Sequence, residues 1–238
     1  MVPQLTLTNA TFSAAGKPIL HPLTLTLSEP RIGIIGQNGS GKTTLLRLLA
    51  GLISPTTGSV RVGQTDPAKD RKAALTQIGI LFQNPDHQIL FPTVEEELAF
   101  GLTQQNHPGP AQAVADLLKQ ENRTHWAKAA THTLSQGQRH YLCLLAILLM
   151  NPQTLLLDEP FAGLDLPTQT RLKRRLNALP QQIITITHDP DAVTNADRIL
   201  WLDQGRLRAD GPPATVLPMF IAEMVRLGAS DADTGLPC

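Results

Sequence analysis

The sequence predicts an α/β protein built on a mainly parallel sheet, and three observations lead there. RIGIIG (31–36) and IGILF (78–82) are short apolar runs of the kind buried on both faces of a sheet. TLLLDEP (154–160) and QIITITH (182–188) are further strands, each ending in residues that carry chemistry. Segments of helical spacing lie between these strands, the alternation that favours a parallel sheet.

Taken in order, LTLTNATF (5–12) and PLTLTLS (22–28) alternate, which predicts two strands with one wet face, separated by the turn AAGKP. RIGIIG runs into a glycine-rich loop and then TTLLRLLAGL, apolar at helical spacing. SPTTGSVRVG (54–63) gives a turn and a strand, and residues 84–134, after IGILF, are polar, mixed and predicted helical. A helix is predicted over 136–150. Its apolar run YLCLLAILLM (141–150) is about half the ~20 residues that cross a bilayer, so it reads as a buried core helix. LPTQTRLKRRLNAL (166–179) is a helix with proline in its first turn. DRILWLDQGRLRADG (197–211) predicts a hairpin, ATVLPMFIAEMVRLG a helix, and ASDADTGLPC a frayed end.

Composition narrows the function classes. The 238 residues suffice for one large α/β domain or two small ones with a sizeable core. Net charge is zero and no long basic run occurs, so no nucleic-acid surface is expected. Cys143 sits in an apolar helical run and Cys238 ends the chain, so no disulfide framework is expected, in keeping with a reducing compartment. MVPQLTLTNA lacks the pattern of a signal peptide. A soluble chain is expected, which leaves a membrane-bound partner open.

GQNGSGKT (36–43) fits the phosphate-binding pattern G-x-x-x-x-G-K-[ST] and stands between a buried strand and an apolar helix. Gly36, Gly39 and Gly41 let the backbone curl so that N–H groups face phosphate oxygens. The following helix adds its positive end. Lys42 offers an ammonium to the β- and γ-phosphates and Thr43 a hydroxyl to Mg²⁺. Asn38, Ser40 and Thr44 complete the expected nucleotide contacts.

Asp158, at the end of a buried strand, is placed to hold Mg²⁺ through water, and Glu159 to take a proton from the attacking water. His188 ends a strand whose tip faces the same cleft. Neutral or protonated, it could donate a hydrogen bond to the γ-phosphate or the water.

LSQGQ (134–138) is first a capping box, Ser135 with Gln138, opening helix 136–150. In sequence, GQNGSGKT, Gln83, LSQGQ, LLLDEP, AGLD (162–165) and His188 resemble the Walker A, Q-loop, signature, Walker B, D-loop and H-loop of ATP-binding-cassette (ABC) ATPases, over residues 2–220. The resemblance implies a P-loop NTPase domain over 1–238, with ATP and Mg²⁺ as cofactors. It implies a mainly parallel core sheet with a small antiparallel β subdomain (about 1–83 and 150–220), an α-helical subdomain (about 84–149) and a tail (221–238).

It also implies a composite site. Two such domains pair head to tail, as a homodimer or heterodimer, with ATP between one P-loop and the partner's Ser135, Gln136, Gly137 and Gln138. Thr43, Gln83 and Asp158 would serve the metal, and Asp165 would communicate between the two sites. Ser135, Gly137 and a helix N-terminus make a second anion-binding surface, which a lone copy would have no use for. Three departures stand out. Gln136 replaces the usual glycine, and AGLD replaces SALD. In ATFSAAG, Ala14 or Ala15 stands near the usual adenine-stacking aromatic and Phe12 reads as a strand residue, so no adenine-binding residue is assigned.

FQNPDHQILFPTVEEELAFG (82–101) adds a narrower likeness. Thr93 and Glu96 form a capping box, Glu95, Glu96 and Glu97 complement the helix start, and Val94 and Leu98 share a face. The stretch resembles the Q-loop and following helix of energy-coupling-factor (ECF) transporter ATPases, which energise vitamin and cobalt or nickel uptake. The resemblance implies a peripheral location on the cytoplasmic face of the membrane. It implies a transmembrane coupling subunit, a substrate-binding membrane subunit, and Glu95–Glu97 receiving arginines of the coupling subunit. SEPRIGIIGQNGSGKT, without the usual Gly-Glu turn, resembles the ATPases of biotin uptake, with cobalt and nickel next. A soluble ABC ATPase acting on DNA or ribosomes is the competing class. It would bring a heptad-rich insertion or a second cassette. A P-loop kinase or GTPase would lack LSQGQ and leave His188 unexplained.

Overall fold

The computed structural model describes residues 4–229; the end of the expected frayed tail, with Cys238, lies outside the described residues. β1 (Leu5–Ala14) and β2 (Lys17–Leu27) pair antiparallel, Leu5 opposite Leu27 and Leu7 opposite Leu25. The turn is tighter than AAGKP suggested. Ala15 and Gly16 take left-handed backbone, so Lys17 and Pro18 already belong to β2. The alternation buries Leu5, Leu7, Leu23, Leu25 and Leu27 as one face.

β3 (Arg31–Ile35) is followed by α1 (Lys42–Leu49) and β4 (Thr57–Val62), which pairs with β1 to complete a three-stranded sheet in the order β2-β1-β4. Ile34, Leu45, Leu46 and Leu49 are fully buried where α1 seats on the core. Each such side chain contributes about 1.5–3 kcal/mol, so the loop between β3 and α1 rests on a stiff support. No periodicity announces α2 (Arg71–Gln77). Only Ala74 is buried in it, and Asp70 caps it by accepting from the Ala73 amide.

β5 (Ile78–Leu81) follows, and the 84–134 stretch resolves into α3 (Val94–Gln104), α4 (Pro110–Gln120) and short 3₁₀ turns. α5 (Gln136–Leu149) serves two cores. Its Cys143, Leu144 and Ile147 pack with Leu155 and Leu157 of the sheet, while Leu142 and Leu145 pack with Val94, Leu98 and Leu118 of the helical unit.

β6 (Thr154–Asp158), α6 (Leu166–Asn177), β7 (Gln182–Thr187), β8 (Arg198–Asp203) and β9 (Arg206–Gly211) complete a six-stranded sheet in the order β5-β6-β7-β3-β8-β9. Its pairs are parallel except for the β8–β9 hairpin. α7 (Pro213–Ala229) packs on Trp201 through Val216 and Phe220, so the tail boundary expected at 221 falls inside a helix. The register sets Ile35 beside Thr187, Asp158 beside Ile186, and Leu81 beside Leu157. The phosphate loop, Asp158, Glu159, His188 and the exit toward Gln83 therefore share the carboxyl edge of the sheet, where α/β proteins bind ligands.

Candidate active site

The phosphate loop has glycine where no side chain fits. A Cβ on Gly36 would stand 2.2 Å from the Leu202 carbonyl oxygen, and Gly41 combines φ 97° with a Cβ position 2.8 Å from Leu20 Cδ2. The loop is thus pressed against β8 and β2, with Gln37, Asn38 and Gly39 exposed at its crest and Ser40 and Lys42 buried. The Lys42 ammonium donates to the carbonyls of Gly36 (2.7 Å) and Gln37 (2.8 Å). Burial lowers its pKa, while Glu159 and Asp158 act in the opposite direction and favour the cation. The Ser40 hydroxyl is buried with no protein partner. A buried ammonium, an unpartnered hydroxyl and a helix N-terminus suit a polyphosphate.

Thr43 Oγ1 donates to Asp158 Oδ2 at 3.5 Å, and half-buried Thr44 follows on α1. Asp158 is 8% exposed; burial first, then the neighbouring Glu159 charge, raises its pKa, with Lys42 and Thr43 opposing. Among the described residues no cluster of three acidic, histidine or cysteine side chains forms a metal cage. A hydroxyl and one carboxylate suit Mg²⁺, which keeps waters and takes its remaining oxygens from phosphates. Gln83 is exposed where the chain leaves β5.

Glu159 adopts left-handed backbone at φ 47°, pinned by its N–H to the Ile186 carbonyl at 2.8 Å. Its carboxylate thereby reaches the tip of β7. Oε1 accepts from the His188 amide at 2.9 Å and lies 2.7 Å from His188 Nδ1; Oε2 accepts from the Thr187 hydroxyl at 2.8 Å. An ionised carboxylate here requires the ring proton on Nδ1, so the neutral ring presents Nε2 as an acceptor. Nε2 is thus the ring nitrogen left to address a phosphate.

The signature and D-loop meet elsewhere. Ser135 caps α5: its N–H donates to Gln138 Oε1 at 2.7 Å, and its oxygen accepts the Gln138 amide at 3.3 Å. Asp165 caps α6 by accepting from the Thr168 amide at 2.9 Å; the Thr168 hydroxyl first, and then this amide, lower its pKa. A Cβ on Gly137 would lie 2.8 Å from Thr168 Cγ2, and one on Gly163 (φ 70°) would lie 3.0 Å from Gln136 Nε2. Two of the departures from the family pattern, Gln136 and Gly163 of AGLD, therefore lie side by side. Ser135, Gly137, Gln138 and Asp165 line a groove of about 690 Å³ that no residue of the phosphate loop lines.

The acidic helix start needs a correction. Glu97 is buried, and its Oε2 accepts from the Leu90 (2.8 Å) and Phe91 (2.9 Å) amides, so it anchors the preceding loop instead of facing a partner. Glu96 is held by Thr93, whose N–H and hydroxyl donate to its Oε2 at 3.2 and 2.5 Å. Glu96 is the exposed member of the three, while half-buried Glu95 pairs with exposed Lys128 at 2.6 Å. Phe12 packs partly buried against the core, as its place in the alternation suggested.

Residues 20–162 match the family model described as ABC transporter. The chain belongs to the ABC transporter family. As an ABC ATPase it binds and hydrolyses ATP. It is 49% identical over 226 residues to the biotin transport ATP-binding protein BioM of Rhodobacter capsulatus, covering 94% of this chain and 97% of that one. It is 34% identical over 212 residues to the energy-coupling factor transporter ATP-binding protein EcfA1 of Mycoplasma pneumoniae, covering 86% of this chain and 77% of that one. The solved structure of cbiO1 from Clostridium perfringens, described as part of the ABC transporter complex cbiONQ, superposes with a TM-score of 0.78 at 28% identity, covering 94% of each chain.

Two features of this ABC ATPase escape motif reading. One is Thr187 on Glu159. The other is Glu121, which accepts from Tyr141 at 2.5 Å and pairs with Arg175 at 2.8 Å, tying the end of α4 to α5 and α6. Burial and Glu121 push the Tyr141 phenol up to about 12. Neither has a local pattern; Thr187 offered only its place before His188.

Proposed function

We propose that this chain is the energy-coupling ATPase of an ECF-type importer, peripheral on the cytoplasmic face of the membrane, and that the imported solute is biotin. The observation that carries the reading is near full-length likeness, at 49% identity, to a protein named for biotin transport. No helix among the described residues is long and apolar enough to cross a membrane, so in this reading membrane subunits supply both attachment and the solute path.

The signature groove and the phosphate loop are separate surfaces of one chain. Each ATP is then clamped between Lys42 and its loop in one subunit and the Ser135 end of α5 in a second, identical or related subunit. Thr43, Asp158 and Gln83 would hold Mg²⁺, which when bound offsets charge on the phosphates. Glu159 accepts the proton of the attacking water, His188 addresses the γ-phosphate, and Asp165 lies at the junction. Loss of the γ-phosphate removes contacts made only in the closed pair, which gives a two-state motor.

Co-expression with candidate membrane subunits, followed by uptake of labelled biotin into vesicles, tests the reading. ATP-dependent uptake abolished by Glu159→Gln supports it. Cobalt or nickel uptake instead would reassign the solute, and failure to co-purify any membrane subunit would contradict the transporter role.

A further inference from the structure

The donors around Glu159 are not equivalent. Two belong to His188, whose side chain is 55% exposed; the third is the hydroxyl of Thr187, a residue 2% exposed. That hydroxyl has one proton, and its oxygen already accepts the Asp189 amide at 3.0 Å. The proton is therefore directed at Glu159 Oε2, 2.8 Å away. Thr187 is the last residue of β7, in register with Ile35 at the foot of the phosphate loop, so the sheet fixes where its hydroxyl stands. Its branched side chain is restricted at χ1. Each carboxylate oxygen has about two acceptor sites. Oε1 meets two donors, while Oε2 meets one.

We propose that Thr187 is a positioning residue for ATP hydrolysis, fixing the Glu159 carboxylate so that the free acceptor site of Oε2 receives the proton of the attacking water. As that water's oxygen bonds to the γ-phosphorus, its proton passes to Oε2 and the bond to the ADP oxygen breaks. The Thr187 proton stays on Thr187, and the residue touches neither nucleotide nor water. This rests on Glu159 being the general base.

The test uses the full chain co-purified with its membrane subunits, comparing wild type with Thr187→Val, Thr187→Ser and Glu159→Gln. Thr187→Val keeps the shape and removes the donor. Its kcat should fall about tenfold or more, with KM for ATP within about twofold and the thermal midpoint little changed. Thr187→Ser keeps donor and acceptor and should recover most of the rate. Wild-type kcat in the valine variant, no recovery in the serine variant, or a loss that follows ATP affinity and thermal midpoint would each overturn the proposal. If Glu159→Gln is inactive while Thr187→Val is normal, only the role of Thr187 falls. If Glu159→Gln itself turns over normally, the assignment of the base falls with it.

Discussion

Glu159 Oε1 and His188 Nδ1 stand 2.7 Å apart at the tips of neighbouring parallel strands. The contact depends on the left-handed backbone of Glu159, which turns its carboxylate across from β6 to the end of β7. A non-glycine residue in this conformation costs on the order of 1 kcal/mol, and the bonds from Thr187 and His188 offset it. Glu159 and His188 are thus brought together by the sheet of a single chain, while Ser135 and Asp165 line another surface.

Glu159→Gln should bind Mg-ATP with near wild-type affinity and lose about a hundredfold or more in turnover. With ATP it should accumulate as a dimer, measured by light scattering on a sizing column. Wild-type turnover would demote Glu159.

The three glutamates of α3 should separate in their effects. Glu97→Ala removes the buried acceptor of the part-buried Leu90 and Phe91 bonds, at a cost of roughly 1–3 kcal/mol, read as a lower denaturation midpoint. Glu95→Arg breaks only an exposed pair with Lys128 and should leave the midpoint unchanged. In the assembled transporter it should reduce solute uptake while the isolated chain still hydrolyses ATP. Equal uptake in the Glu95→Arg complex would remove Glu95 from the coupling surface.

Gln136 and Gly163 should be energetically coupled. Gly163→Ala places a Cβ 3.0 Å from Gln136 Nε2 on a backbone at φ 70°, costing about 1–2 kcal/mol in stability. Gln136→Gly should return the packing part of that loss and leave the backbone part. A double-mutant cycle measures this, and strict additivity would show that the two residues act independently.

His140 predicts a pH dependence. Burial holds its pKa down to about 4, with the Pro160 carbonyl opposing, against an unfolded value of 6.5. Below pH 6.5 the unfolded chain takes up a proton that the folded chain refuses, so the contribution is intact above 6.5 and lost as pH falls toward 4. The loss is at most about 3 kcal/mol. His140→Gln should flatten urea-denaturation stability across that window; an unchanged slope would show that other groups set it.

The phosphate loop, the strands feeding it and the capped signature helix were legible because each is a local pattern of period, glycine or cap. α2 was not, since a helix burying only Ala74 carries no apolar stripe. Glu95, Glu96 and Glu97 read alike in sequence. Which one turns inward depends on where the loop at Leu90 and Phe91 passes, a tertiary fact. Thr187 was hidden for the opposite reason, because a β-branched residue in a strand needs no further explanation. The Gln136–Gly163 contact joins two oddities that are far apart in sequence and adjacent only once α5 lies beside the D-loop.

The most direct measurement is a structure of the Glu159→Gln chain with Mg-ATP. The expected result is a head-to-tail pair in which each triphosphate touches Lys42 of one subunit and Ser135 of the other. A nucleotide bound at Lys42 with residues 134–138 of both subunits away from every phosphate would contradict it.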